Sequence, residues 1–122
     1  MSNNKITAVI GASPNADRYS YKAMISLQKH GYPAFPIGIK KGEINGTTIL
    51  TDKPHLENID TVTLYVGPDN QKFWIDYILS LKPKRIIFNP GTANREFEKQ
   101  AEKEGIEVVH ACTLVMLSIN EY

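Results

Sequence analysis

Short, nearly all-apolar runs alternate with segments of helical spacing from one end of this 122-residue chain to the other. Ile6–Ile10 is the first run, closed by Gly11. Ala34–Ile39 follows, made edge-like by Pro33 and Pro36, and then Thr61–Val66, Arg85–Phe88 and Ile106–Val109. Between the first two runs, Ala23, Met24 and Leu27 mark a helix over Ser20–His30 that stops at Gly31. Phe73, Trp74, Tyr77, Ile78 and Leu81 mark a core-packing helix, with Asp69 as its expected N-cap. Ala93, Phe97 and Ala101 give the next helix one thin apolar stripe, ended by Gly105, and Thr113–Ile119 predicts a short buried helix. The stretch from Lys40 to Asp60 is polar and turn-rich, with one small strand expected at Thr48–Leu50.

Apolar strands separated by helices cannot leave a face in water, so they predict a parallel sheet covered on both sides. Right-handed crossovers then lead to an α/β fold, a Rossmann-like doubly wound sheet of about five strands in three α/β/α layers. At this length, residues 1–122 are expected to form one such domain.

Composition narrows the function classes. A formal net charge of +1 supplies no global field toward nucleic acid or anionic membranes, so neither is an expected partner. The apolar run after MSNNK is too short for a signal peptide, and no stretch approaches the roughly 20 apolar residues of a membrane span. A cytoplasmic location is expected. The single cysteine, Cys112, excludes an intrachain disulfide and a multi-cysteine metal site.

Ligands of open parallel sheets bind beyond the C-terminal ends of the strands. The residues there are small or turn-forming at nearly every position: Gly11, Ala12 and Ser13; Gly38; Gly67 and Pro68; Asn89, Pro90, Gly91 and Thr92. Each alone is ordinary turn chemistry, but together they predict a groove where backbone approaches an extended ligand. Behind Gly11, the start of the first helix offers free N–H groups, Ser13 and Ser20 offer hydroxyls, and Arg18 offers a fork for phosphate. A solvated loop arginine is the other reading of Arg18. The loop is longer than a G-x-G-x-x-G turn and lacks its second and third glycines.

After the second run the chain reads PIGIKK, placing Lys40 and Lys41 where an NAD site offers an acid to its ribose. Lysines there suit a phosphorylated ribose, which means NADP or coenzyme A. Catalytic patterns are sparse. Cys112 could be a nucleophile, sharing a strand face with His110, or an inert packed thiol. Metal-ligand spacing, a P-loop and a G-x-S-x-G elbow are all absent from the sequence, so no metal and no catalytic residue is expected.

The stretches VIGASPNADRYSYKAM, FPIGIKKGEINGTTILTD, VTLYVGPDN and FNPGTANREFEKQAEKEGIEVVHACTLVML resemble a known family. The chain is similar to small stand-alone CoA-binding proteins and to the N-terminal CoA-binding domain of the succinyl-CoA synthetase α subunit, over about Ile6 to Leu117. The resemblance implies that Gly11, Ala12 and Ser13, with Arg18 and Ser20, cradle the CoA phosphates. It implies that Pro36, Ile37 and Gly38, with Lys40 or Lys41, lie along the adenosine and its 3′-phosphate. Val66, Gly67 and Pro68 would flank the adenine side, and Asn89, Pro90 and Gly91 would border the pantetheine path, with Cys112 near its end. Two patterns depart from many stand-alone members: FNPGT stands for W-x-Q-x-G, and His110-Ala111-Cys112 stands for D-R-C. The synthetase's phosphohistidine domain has no counterpart in these 122 residues, so ligase activity is not expected. The expected function is binding of CoA or acyl-CoA without evident catalytic machinery. The alternatives are a fragment of an NADP-dependent oxidoreductase, or an interaction protein of the same fold that meets a protein partner through the Ala93–Lys103 helix.

Overall fold

The structure, a computed structural model, describes residues 4–122. Strand β1 (Thr7–Ile10) is buried along its whole length and leads through a polar loop into helix α1 (Tyr19–Lys29). Gly31, at φ +80°, ends that helix, and β2 (Ala34–Ile37) follows. A small antiparallel hairpin, β3 (Glu43–Ile44) and β4 (Thr47–Thr48), comes next. Its turn is Asn45-Gly46, both with positive φ, the requirement of a tight two-residue hairpin. Strand β5 (Thr61–Leu64), helices α2 (Pro68–Gln71) and α3 (Ile75–Ser80), and strand β6 (Arg85–Phe88) then alternate with α4 (Arg95–Lys103), β7 (Glu107–His110) and α5 (Thr113–Ser118).

The five long strands are all parallel, in the order β2-β1-β5-β6-β7, with Thr7 opposite both Ala34 and Thr61, and Arg85 opposite Thr61 and Glu107. This is the Rossmann-like architecture expected. Two cores cover the two faces. On one, Val9 and Ile87 meet Met24 and Leu27 of α1 and Leu117 of α5. On the other, Ala8, Ile10, Val62, Leu64, Ile86 and Phe88 meet Trp74, Ile78 and Phe97. Among the described residues, no helix is long and apolar enough to cross a membrane.

Four expectations shift. The strands at Thr61 and Ala34 end at Leu64 and Ile37, two residues early, because the chain beyond them leaves the ladder to form the groove. Pro36 is tolerated because β2 is an edge strand. The helix expected behind Asp69 is two short helices, and its N-cap is Gly67, with Pro68 at the first position and Asp69 inside the first turn. A proline fits there because that N–H has no helical partner anyway. The small strand lies at Thr47–Thr48, while Leu50 makes a lone parallel bridge to Ile37.

Chain order decides where a ligand can lie. After β1 the chain turns outward to β2, then crosses back over β1 to reach β5. The two crossovers leave in opposite directions, and a crevice opens above the C-terminal ends of β1 and β5.

Candidate functional site

The loop after β1 is built to stay close to the sheet. Gly11 has φ +93°, and a Cβ there would sit 3.0 Å from Val66 Cγ2 and 3.1 Å from the Tyr65 carbonyl. The N–H groups of Gly11 and Ala12 both donate to the Ile37 carbonyl, at 2.9 and 3.0 Å, which pins the loop to the end of β2. Gly38 must be glycine for a different reason: a Cβ would stand 2.2 Å from the Ala12 oxygen. Beyond it, Ser13 Oγ accepts from Asn15 N at 3.1 Å, and Asn15 Oδ1 accepts from Asp17 N at 2.9 Å. The loop is thus braced by its own side chains.

That loop ends at Arg18, the N-cap of α1, with extended backbone, no side-chain hydrogen bond to the helix and no acid in the first turn. The first amides of α1 are left without a side-chain acceptor. They start a helix whose dipole favours an anion at this end.

A groove of about 710 Å³ runs across this edge. The β1–α1 loop and the start of α1 line it with Gly11, Ala12, Ser13, Arg18, Tyr19 and Ser20. Ile39, Lys40 and Lys53 come from the far side, Tyr65, Val66 and Gly67 from the end of β5, Asn70, Phe73 and Trp74 from the α2–α3 segment, and Pro90, Gly91 and Thr92 from the end of β6. Arg18, Lys40 and Lys53 line it as cations, and no carboxylate among the described residues does. Three of the five large apolar side chains exposed among the described residues also lie here: Ile39 at 81%, Tyr19 at 68% and Phe73 at 61%. A cationic groove with exposed apolar surface suits an anion that also carries a flat or apolar part.

Lys53 is held in place by its own contacts. Its ammonium donates to the Phe73 carbonyl and lies 4.7 Å from the Trp74 ring centroid. The same loop is fixed again by Tyr77, whose hydroxyl donates to the Pro54 carbonyl at 2.7 Å. Burial, then the Asp52 charge, pushes the Tyr77 hydroxyl up to about 12, so it stays a donor. On the groove floor, Tyr65 Oη is buried without a hydrogen-bond partner. The Thr63 and Thr113 hydroxyls lie near enough to moderate its ionisation but not in hydrogen-bonding geometry; burial dominates and raises it to about 12.

Of the residues singled out in the sequence, Gly11, Ala12, Ser13, Arg18, Ser20, Lys40, Val66, Gly67, Pro90 and Gly91 come together on the lining. Pro36, Ile37, Gly38, Lys41, Pro68, Asn89 and Cys112 lie off it. Ile37 is fully buried, and Gly38 supports Ala12 from behind. Asn89 is 3% exposed and fully engaged: its amide donates to Thr63 Oγ1 at 2.8 Å and to Leu64 O at 3.0 Å, and its Oδ1 accepts from Thr113 N at 2.9 Å. It joins β5, β6 and the start of α5.

Cys112 and His110 do not share a strand face, because β7 ends at His110 and Cys112 is the N-cap of α5. His110 Nε2 instead meets Glu98 Oε1 at 2.8 Å, and its ring stacks on Phe88. Among the described residues, no group of three His, Cys, Asp or Glu could hold a metal ion. Sequence reasoning did not single out Tyr19, Ile39, Lys53, Tyr65, Asn70, Phe73 and Trp74 for the lining. Phe73 was legible only as a core residue at helical spacing, and Lys53 lay in a turn-rich segment without a pattern.

A family model described as a CoA binding domain matches residues 5–118. Among solved structures, the chain is 52% identical to one described as that of an uncharacterized protein, with a TM-score of 0.95 over 97% of this chain and 98% of that one. A hypothetical protein from Pyrococcus horikoshii OT3 is 28% identical, with a TM-score of 0.84 over 95% of this chain and 82% of that one. A dinucleotide forming acetyl-coenzyme A synthetase 1 of Ca. Korarchaeum cryptofilum, in complex with phosphate and ADP, is 21% identical, with a TM-score of 0.71. That match covers 89% of this chain but 26% of the synthetase, and it shows a shared fold. No curated protein matches the chain.

Proposed function

This chain belongs to the CoA-binding domain family, and from that premise we propose that its groove binds coenzyme A or an acyl-CoA. The observation that carries the reading is the groove at the switch point of the sheet, lined by three cations and no carboxylate, with the uncapped start of α1 opening beside it. In this reading the pyrophosphate takes the first amides of α1, with Ser13 and Ser20 as hydroxyl donors and Arg18 as a charged fork. Lys40 meets the 3′-phosphate, aided by Lys41 from outside the lining. Ile39 and Phe73 give the adenine apolar surface, and Pro90, Gly91 and Thr92 border the pantetheine. Gly38 and Asn89 serve from behind, holding the walls.

NADP also carries a phosphorylated ribose, so the same cations bear on it; the family favours CoA. Calorimetric titration with CoA, dephospho-CoA, NADP and NAD separates the readings. CoA is expected to bind best, and dephospho-CoA more weakly. Lys40→Ala is expected to remove most of that difference. No heat from CoA at millimolar concentration would overturn the proposal, and tighter binding of NADP than of CoA would replace it.

A further inference from the structure

Gln71 is completely buried at the end of a four-residue helix on the groove's rim. Its Nε2 donates to the Val66 carbonyl at 2.8 Å and to the Thr92 carbonyl at 2.6 Å, using both amide hydrogens. Its Oε1 accepts from Asn94 Nδ2 at 2.9 Å. Val66 and Thr92 belong to different walls of the groove, one following β5 and the other following β6. The strand ladder between β5 and β6 ends at Leu64 and Phe88, and Asn89 extends the join only as far as the Leu64 carbonyl. One step further out, the Gln71 carboxamide replaces the missing ladder.

Asn94 is itself braced. Its Oδ1 accepts from Phe97 N, and its own N–H donates to Glu98 Oε2 at 2.8 Å. The other oxygen of Glu98 meets His110 Nε2 at 2.8 Å. An unbroken chain of hydrogen bonds thus runs from His110 on the outer strand to two carbonyls on the groove. A carboxamide is the group this position needs, since it must donate twice and accept once without carrying charge into a buried site.

We propose that Gln71 is the positioning residue of the groove: it holds the β5 and β6 walls at a fixed separation and thereby sets affinity for the ligand. The affinity part rests on the CoA reading, while the positioning part does not. The test therefore has two readouts, amide hydrogen exchange in the ligand-free protein and calorimetric titration with CoA. In Gln71→Met, which keeps the volume and removes the hydrogen bonds, the hydrogen-bonded amides of Tyr65 and Thr92, one in each wall segment, should exchange faster together, with far-ultraviolet circular dichroism unchanged. CoA affinity should fall by roughly tenfold to a hundredfold, the range for orphaning buried partners.

Gln71→Glu adds a readout that a merely structural role would not move. A carboxylate there would face two carbonyl oxygens in a buried site, so its proton is retained to a raised pH. Affinity lost at neutral pH should recover in part as pH falls toward about 5, where the protonated acid can donate again. Wild-type protein titrated in parallel accounts for Glu98, His110 and Asp69. Asn94→Ser keeps a capping oxygen and loses the donor to Gln71, and should loosen the same two segments to a smaller degree.

Native exchange at either segment in Gln71→Met would overturn the inference, as would unchanged CoA affinity or a pH-independent loss in Gln71→Glu. If Gln71→Met does not fold, exchange in Asn94→Ser decides it. If wild-type protein does not bind CoA, the functional proposal falls, and the exchange data still decide whether Gln71 holds the walls.

Discussion

Helix α4 starts behind Asn94, whose Oδ1 accepts from Phe97 N at 3.3 Å, with Glu96 and Glu98 in the first turn. Helix α1 starts at the same edge of the sheet behind Arg18, with no side-chain cap and no acid. The start of α5 is closed as well, because Asn89 Oδ1 accepts from Thr113 N. Free helix-start amides and a positive dipole end must be satisfied by something, and a good side-chain cap contributes about 1 kcal/mol. In α4 and α5 the protein supplies that partner from its own residues. In α1 no side chain supplies it, and that start opens on a groove lined by Arg18, Lys40 and Lys53. Helices α2 and α3 also start without a side-chain cap but carry Asp69 and Asp76 in their first turns. Among the described helices α1 is thus the one with neither a side-chain acceptor nor an acid at its start, which supports the proposed anion site.

The most damaging change to this contrast should be Gly38→Ala, because its Cβ would lie 2.2 Å from the Ala12 oxygen, a backbone atom that cannot swing away. The loop leading to α1 must shift, at a cost of about 1–3 kcal/mol in denaturant unfolding, with CoA binding lost at the same time. Arg18→Asp would give α1 the kind of start that α4 has. Affinity for CoA should fall by roughly tenfold to a hundredfold as an anion takes the anion's place. Stability should hold or rise by about 0.5–1 kcal/mol, since aspartate is a good cap. Opposite movement of the two quantities is the informative result; a joint loss would refute the contrast.

The reverse experiment, Asn94→Ala, opens the start of α4. It should cost about 1–2 kcal/mol in denaturant unfolding, with no gain of anion binding there, because Glu96 and Glu98 in the first turn repel an anion. Lys40→Ala should have a smaller effect, roughly fivefold on CoA and less in high salt, because an exposed ammonium is screened. Smallest at neutral pH is Tyr65→Phe, which removes a buried hydroxyl without a partner and should be neutral or stabilising by up to about 1 kcal/mol. Its pH dependence has a definite sign. The folded Tyr65 hydroxyl ionises near 12 against an ordinary value of 10.0, so its contribution is intact below pH 10 and lost as pH rises toward 12. Thermal melts of the Phe variant should therefore decline less than wild type across that window.

Much of the fold was legible in the sequence because burial on both faces leaves a strand no polar alternation. Thr7–Ile10, Thr61–Leu64 and Ile86–Phe88 are fully buried, and they were recognisable as unbroken β-prone runs. Gly31 and Gly105, both at positive φ, ended helices where the periodic residues stopped. The split of the helix after Gly67 was not legible, since Phe73 and Trp74 have the same spacing in one helix as in two. In the structure Trp74 is buried at 5% while Phe73 stands at 61% on the groove. Within the candidate site, the loop from Gly11 to Ser20 could be read because turn and phosphate chemistry are local. Lys53 could not, because only its contact with Phe73 and Trp74, some twenty residues along the chain, brings it to the groove.

The sequence by itself determined that a covered parallel sheet would form, that its C-terminal edge would be glycine- and proline-rich, and that no acid would follow β2. Those are properties of short windows, set by periodicity, turn chemistry and residue type. Tertiary structure decided which of those edge residues face one another. It set Gly38 against the Ala12 carbonyl, buried Asn89 as a joint, and made Gln71 a bridge between two walls. The reason is that hydrogen-bond partners across a sheet edge are chosen by strand order, and strand order is fixed by how distant segments pack.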